Sequence, residues 1–470
     1  MRTHISPCKD CMKFFNIIKD STTALIFIMC IGTVNGQSDL TSPYTLFGPG
    51  LPHLRTTISQ AGAGGSGIAL ADPYKLNILN PSVVAYHLDP IFEVSGVYTQ
   101  STFSTNEGEF ENKSFLLNNL SLSFPIKRGV WGLSLGIVPL TTVGYGVSSR
   151  DENPALESAP ITEYSGNGGI SQAYIGTGYK VFGKIDSANN VTALALGINL
   201  NYNFGTLNSS RMNFFPEDPT TRGLRSEETL LIRDANVEFG LHYQGNIIKR
   251  TKSDGRYLKF NLGASYSMQS DLGTERSQYA YSFRGTTGSQ ASLSDTLAFS
   301  DREKGYVRIP TRITAGIGLD YVSTQRTRLR FSADYSTQSW SQYETSFSDQ
   351  ALGFDFTDSE RYSAGLEYTP QVGSRNYLET VEYRAGFRYE KSSLTLRDTE
   401  IDDVGMSFGL TLPIHHRRAI SKSSLSISGV YGKYGTTANG LIQEDYIRVY
   451  VGFSFTPHFR NRWFVKPKYD

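Results

Sequence analysis

Residues 192–205 read TALALGINLNYNFG. Leu194, Leu196, Ile198, Leu200, Tyr202 and Phe204 fall on one side of a two-residue repeat. Ala193, Ala195, Gly197, Asn199, Asn201 and Asn203 fall on the other. Successive side chains of a strand point to opposite faces, so this stretch is a strand with one apolar and one polar face. The pattern recurs in RITAGIGLDY (312–321), VEYRAGFRYE (381–390) and YIRVYVGFSF (446–455). About fourteen such segments follow Ile91, most of about ten residues or more. Soluble strands average about five or six residues, whereas a tilted strand crossing a bilayer needs about nine to eleven. The expected class is therefore all-β: a transmembrane antiparallel β-barrel of about fourteen strands.

The connections point the same way. Every second link is short and somewhat basic, as in Lys127-Arg128-Gly129, Gly183-Lys184 and Gln325-Arg326-Thr327. The links between them, 146–168, 207–228, 270–308 and 343–359, read as longer loops richer in acid. Short turns on one side and long loops on the other suit an outer-membrane barrel. An even strand number places both termini on the short-turn, periplasmic side. Tyr98, Tyr145, Tyr266, Tyr343 and Tyr368 lie near expected strand ends, where they would form aromatic girdles.

A formal net charge of +1 over 470 residues gives no case for a nucleic-acid partner. Residues 1–36 read as a cleaved secretory signal peptide: Lys13 and Lys19 precede an apolar run over 24–31, and Val34-Asn35-Gly36 closes it. Cys8, Cys11 and Cys30 all lie in this leader, so the exported protein does not depend on disulfides. Met29 before Cys30 is too large for a lipoprotein acceptor site.

Segment 37–90 poses a separate question. Gly62, Gly64 and Gly67 have the spacing G-x-G-x-x-G, with Asp89 about twenty positions on. A dinucleotide loop needs a buried strand before it and a helix after it. LPHLRTTIS is too polar for the first, and Pro73 ends any helix after Gly67 almost at once. Six prolines break this low-charge segment, and glycines let its backbone approach other groups closely. It is expected to plug the lumen of a barrel spanning 91–456, with 457–470 left as a periplasmic tail.

The glycine-rich segment, Asp72, then Asn80-Pro81-Ser82 and the first strand resemble the long-chain fatty acid transporter (FadL-like) family of outer-membrane barrels. RIPTRITAGIGLDY, SERYSAGLEYTP and RWFVKPKYD resemble a branch of it. Ser82 stands where the family has Ala. The resemblance implies about fourteen strands, an N-terminal hatch, capture of a hydrophobic molecule near the outer loops, and lateral release through a gap at a kink in the third strand.

The expected third strand, VWGLSLGIVPLTTVGYGV, carries Pro139, Gly144 and Gly146. Proline removes a ladder donor in mid-strand, which makes this the candidate gap; a simple bulge is the alternative. Polar faces elsewhere carry Arg312, Asp320, Arg330, Asp334, Arg361, Glu367, Glu382, Arg384, Arg388, Glu390 and Arg448. Opposite signs on adjacent strands are expected to pair across a polar lumen. The implied function is outer-membrane transport of hydrophobic, fatty acid-like small molecules, with membrane lipids and such a ligand as partners. The alternative is a docking subunit of an outer-membrane secretion or assembly complex. An enzyme ranks last: no G-x-S-x-G elbow occurs, and His53, His87, His242, His415, His416 and His458 fall mostly in plug, turn or tail positions. No cofactor or metal is expected.

Overall fold

The computed structural model describes residues 42–106, 108–150, 159–185, 191–218, 221–251, 255–284, 292–347, 354–414 and 422–457. The leader with its cysteines, His415, His416, His458 and the C-terminal tail lie outside the described residues.

Fourteen strands form a closed antiparallel barrel. They are β1 (Ile91–Ser104), β2 (Glu109–Lys127), β3 (Trp131–Arg150), β4 (Ile161–Ile185) and β5 (Val191–Phe214). β6 is Gly223–Ile248; β7 runs through Tyr257–Ser267 and Ser270–Arg284; β8 through Ser292–Ile309 and Arg312–Val322. β9 (Arg328–Gln338), β10 (Ser359–Thr369), β11 (Glu382–Leu396), β12 (Thr399–Pro413), β13 (Ser424–Gly435) and β14 (Gln443–Phe455) complete the circuit. β14 closes on β1 from Gln443↔Ser104 to Phe455↔Phe92.

Exposure inverts the rule for soluble proteins. In β5, Leu196 and Leu200 are 49% and 53% exposed, while Asn199, Asn201 and Asn203 are 3%, 0% and 2% exposed. An apolar face turned outward over a whole cylinder is a lipid-facing surface.

The strands outrun the bilayer. β4, β5 and β6 have 25, 24 and 26 residues, well beyond the roughly nine to eleven that a crossing needs. Much of what reads as long loop is therefore strand. β3 continues to Arg150 opposite Ile161, and β7 pairs with β8 from Ser270↔Ile309 to Arg284↔Ser292. These stretches are rich in polar residues but bury small apolar clusters, such as Met212 with Phe214 and Phe283, and keep enough Tyr, Phe, Leu and Thr to sustain a ladder above the lipid. The link between β11 and β12 is a two-residue turn, Arg397-Asp398, with φ of 49° and 57°. Two of the expected girdle tyrosines lie elsewhere. Tyr145 is buried among Val143, Ile170 and Leu207, and Tyr343 packs on Phe356 at 4.8 Å.

Residues 42–90 pack against the polar face of the wall. Their start lies at the end of the barrel where β14 begins. Tyr44 donates to the Ile442 carbonyl, and Ser42 N–H to Gly144 O at 3.0 Å. Ile91 and Phe455 share the short-turn end, as an even strand number requires, whereas residue 42 lies at the opposite end. From there the segment descends. A one-turn helix, Ile58–Ala61, is closed by a Thr57/Gln60 capping box, and a 3₁₀ turn, Pro81–Tyr86, is capped by Asn80.

The wall has a seat for it. Gly132, Gly178, Gly197 and Gly240 stand side by side on β3–β6. Ser332, Gly365, Gly386 and Ser407 do the same on β9–β12. A Cβ on Gly197 would lie 2.3 Å from Ser82 N, and one on Gly386 2.1 Å from Gly64 N. Gly64 itself has φ +72° and also meets backbone of the wall. The glycines on both sides let one backbone lie directly on another. A Gly386→Val variant is expected to insert as a barrel but to unseat this segment, at about 1–3 kcal/mol for overpacking. Heat-modifiable migration with new protease cleavage within 58–70 checks it; protection equal to the parent refutes it.

Candidate functional site

Of the five charged residues in 37–90, Arg55 and Asp72 end in buried ion pairs with the wall and Lys75 in partly buried ones. Asp72 accepts from Arg330 at 3.1 Å and lies 3.5 Å from Arg328. Lys75 reaches Glu367 at 3.3 Å and also pairs with Glu382. Glu367 is shared with Arg330 and, at 2.8 Å, with Arg384; Arg384 also contacts Glu382. Burial would raise the Asp72 carboxyl, but Arg330, Lys75 and Arg328 hold it well below the usual carboxylate range.

Other expected lumen charges pair nearby. Arg312 lies 3.7 Å from Glu238, which Arg55 also contacts at 3.2 Å. Asp320 pairs with Arg328 at 2.8 Å and Arg361 with Glu390 at 2.7 Å. Arg388 pairs with Asp403 at 2.8 Å. Asp334 takes the N–H groups of Gly67 and Ile68 at 2.6 and 2.9 Å, which is where the third glycine of the G-x-G-x-x-G run is held. Arg448 stacks over Tyr446 at 4.0 Å and makes no ion pair among the described residues.

The Asn80-Pro81-Ser82 turn is tied at both ends. Asn80 Oδ1 accepts from Ser82 N–H at 3.1 Å and Ser82 Oγ–H at 2.6 Å, and its Nδ2 donates to Leu241 O at 2.9 Å. His242, on β6, contacts Tyr86 OH and Ala69 O, both at 2.9 Å. His87 contacts Ser123 and, at 3.1 Å, the Lys75 carbonyl.

The β2–β3 ladder is where the wall changes. It runs from Lys127↔Trp131 only to Leu120↔Ile137. Beyond that, β3 bulges at Pro139/Thr141 against β4 and turns its freed edge to the N-terminal segment. Leu51 and Pro52 pair with Thr142 and Thr141, and His53 N–H donates to Leu140 O at 2.8 Å. Gly144 N–H donates to Thr45 Oγ1 at 3.0 Å, Gly144 is buried, and Gly146 is exposed. Among the described residues nothing replaces β3 along the upper part of β2. A cavity lies behind, lined by Leu51, His53, Val97, Leu116, Thr142 and Arg448. Phe115, Leu117 and Ile137 are exposed at its outer margins.

The BamG family model matches residues 17–470, nearly the whole chain. The chain belongs to the BamG family. No curated protein sequence matches it. Among solved structures, a Pseudomonas aeruginosa FadL homologue superposes with a TM-score of 0.51 at 13% identity, over 87% of this chain and 100% of that one. The P. putida toluene transporter TodX gives 0.50 at 15% identity, over 87% and 99%. At such identities the likeness establishes the fold. This BamG-family chain is an outer-membrane-type barrel with a FadL-like fold.

Sequence reading missed Arg55, Lys75 and Glu238 as partners, and Leu51–Pro52 as the replacement for β2. The available signal was the isolation of Arg55 and Lys75 in a segment otherwise almost free of charge.

The buried His87 supplies a pH test. Desolvation lowers its imidazole from 6.5 to about 4, opposed by its bond to the Lys75 carbonyl. Any state in which His87 is released to water binds an extra proton between those values. The seated form therefore loses stability as pH falls from about 6.5 to 4, by up to about 3 kcal/mol from this residue. Release of segment 42–90 on acidification, followed by limited proteolysis, is expected to be shallower in His87→Gln. An identical pH profile in the variant contradicts the assignment.

Proposed function

We propose that this chain conducts hydrophobic small molecules, fatty acid-like in character, across or into the outer membrane, with residues 37–90 as a hatch and the β2–β3 seam as the lateral door. The observation that carries this reading is the early end of the β2–β3 ladder. Unpaired backbone is costly in hydrocarbon, so a wall whose described strands pair around the rest of the circuit and part here marks a place of use. Ile137 lies six residues above Trp131. At about 3.4 Å per residue and a tilt near 40°, that is roughly 15 Å, about the middle of a bilayer core. The seam thus faces the outer leaflet, with Phe115, Leu117 and Ile137 as an apolar rim. TodX, a toluene transporter by description, shares the fold and supports the reading at that level.

A second reading has its own support. The ion lattice of Asp72 and Lys75 and the packed Gly/Ser row oppose movement of the hatch. A barrel that never opens downward suits a docking subunit of an outer-membrane complex. A stoichiometric partner retained on mild extraction would favour it.

Gly144 is packed against Thr45, so a large residue there disturbs the hatch itself. Leu116→Trp fills the space behind the seam instead. With N-phenyl-1-naphthylamine as probe in proteoliposomes, this variant is expected to lose at least about 1.4 kcal/mol in apparent transfer free energy, a tenfold slower transfer. Its heat-modifiable migration is expected to match the parent. Transfer at the parental rate by the folded variant rejects the lateral door.

A further inference from the structure

We propose that Arg448 holds the carboxylate of an amphiphilic ligand in the cavity behind the β2–β3 seam, so that the preferred cargo is a long-chain monocarboxylate and not a neutral hydrocarbon. The inference rests on the lateral-door reading and names the residue that sets its selectivity.

Arg448 lies on the inward face of β14, between Ile447 and Val451 neighbours that are exposed on the outer face. The register brings it level with Thr99 on β1, and Thr99 level with Ser114 on β2. Neighbouring strands lie about 4.8 Å apart, so this row spans about 10 Å. All three residues line the cavity, and all three are only partly buried. Among the described residues, neither the guanidinium nor the two hydroxyls has a hydrogen-bond or ion-pair partner. Three donor side chains on three adjacent strands thus border one open space.

The other charges on the cavity wall do not reach Arg448. Arg361 is held by Glu390 at 2.7 Å and Arg388 by Asp403 at 2.8 Å. Asp403 also accepts from Tyr446 OH at 2.6 Å. Glu444 accepts from Ser101 at 2.7 Å. It stands four residues from Arg448, about 13 Å along the strand, with Tyr446 between them on the same face. The Tyr446 ring covers one face of the guanidinium at 4.0 Å. A stacked guanidinium keeps its N–H edge free, and that edge is a planar fork fitted to a carboxylate. A carboxylate accepts only, so its remaining lone pairs suit the Thr99 and Ser114 hydroxyls. Val97 and Leu116 lie one row below and line the same cavity. From there a tail runs along β2 toward Leu120, where the ladder with β3 begins, and toward the exposed Leu117 and Ile137. A hydrocarbon without a charged head would dehydrate Arg448 and leave it unpaired.

The test uses the full chain in uncharged maltoside micelles, at a pH well above the pKa of the probe. The probe is dansylaminoundecanoic acid, and its methyl ester is the uncharged twin. Dansyl fluorescence, after subtraction of protein-free micelles, gives an affinity for each. The parent is expected to bind the acid at least tenfold more tightly than the ester. Arg448→Gln is expected to lower that ratio at least tenfold, and Arg448→Lys to recover part of it, since the charge returns without the fork. Heat-modifiable migration establishes folding. If Arg448→Gln does not fold, the double variant Thr99→Val/Ser114→Ala replaces it, with a ratio at least threefold lower than the parent's. Equal affinities in the parent mean that Arg448 is met by water only, and overturn the site. An undiminished ratio in the folded variant overturns it equally. Transfer of N-phenyl-1-naphthylamine by the parent separates this inference from the reading beneath it. Transfer together with equal affinities rejects the role of Arg448 alone; no transfer rejects the lateral door as well.

Discussion

A backbone that crosses hydrocarbon has to satisfy its own N–H and C=O groups, because lipid offers none in exchange. The closed ladder from β1 round to β14 and back is the consequence of that constraint. It also explains the inverted pattern in β5, where leucine is exposed and asparagine is not. The interruption above Leu120 and Ile137 is informative for the same reason. β3 does not simply lose its partner there. Pro139 ends its capacity to pair with β2, and residues 51–53 supply the missing bonds from inside. The β2–β3 seam and the N-terminal segment are therefore one piece of structure: residues 51–53 hold the freed edge of β3.

The fold was legible because its signal is repetitive. A two-residue alternation in one segment is weak evidence, but its return at the length of a bilayer crossing leaves few alternatives. Pro139 was legible as a break, since proline cannot donate wherever it sits. What the break opens onto was not, because that depends on residues 51–53, eighty or more positions away, with no pattern of their own. The outer parts of β4–β8 were misread as loops because their polar composition matches loop statistics. Above the membrane a ladder needs no lipid-facing apolar row, so the usual marker is absent. Tyr145 was misplaced because the inward swing of β3 after Pro139 exchanges its surroundings from interface to core.

The glycines show how one signal answers two questions. G-x-G-x-x-G resembles a phosphate loop because both arrangements need backbone exposed at close range. Here the groups approached are Gly386 on the wall and the Asp334 carboxylate. The matching glycines of the barrel, Gly197 and Gly386 among them, occupied the polar face of alternating strands and could have been counted one per strand. Their meaning as a seat appears only when the register brings them level, and register is a property of pairing, not of any one strand.

These constraints also decide how firmly residues 42–90 are held. Below the seam, the Gly/Ser row brings the backbones of the N-terminal segment and the wall into contact, and the Asp72–Arg330–Glu367–Lys75 lattice adds buried charges. Removing one partner of such a lattice strands the others at a cost of about 3–5 kcal/mol, so it opposes opening by local fluctuation. At mid-height the lumen is lined by amides and ion pairs, a surface that an apolar solute enters only by dehydrating groups it cannot replace. The apolar rim of Phe115, Leu117 and Ile137 is thus set apart from the amide-lined level of Gln172, Asn203 and Asn236. Unseat residues 42–90, and β3 loses its substitute partner along Thr141 and Thr142.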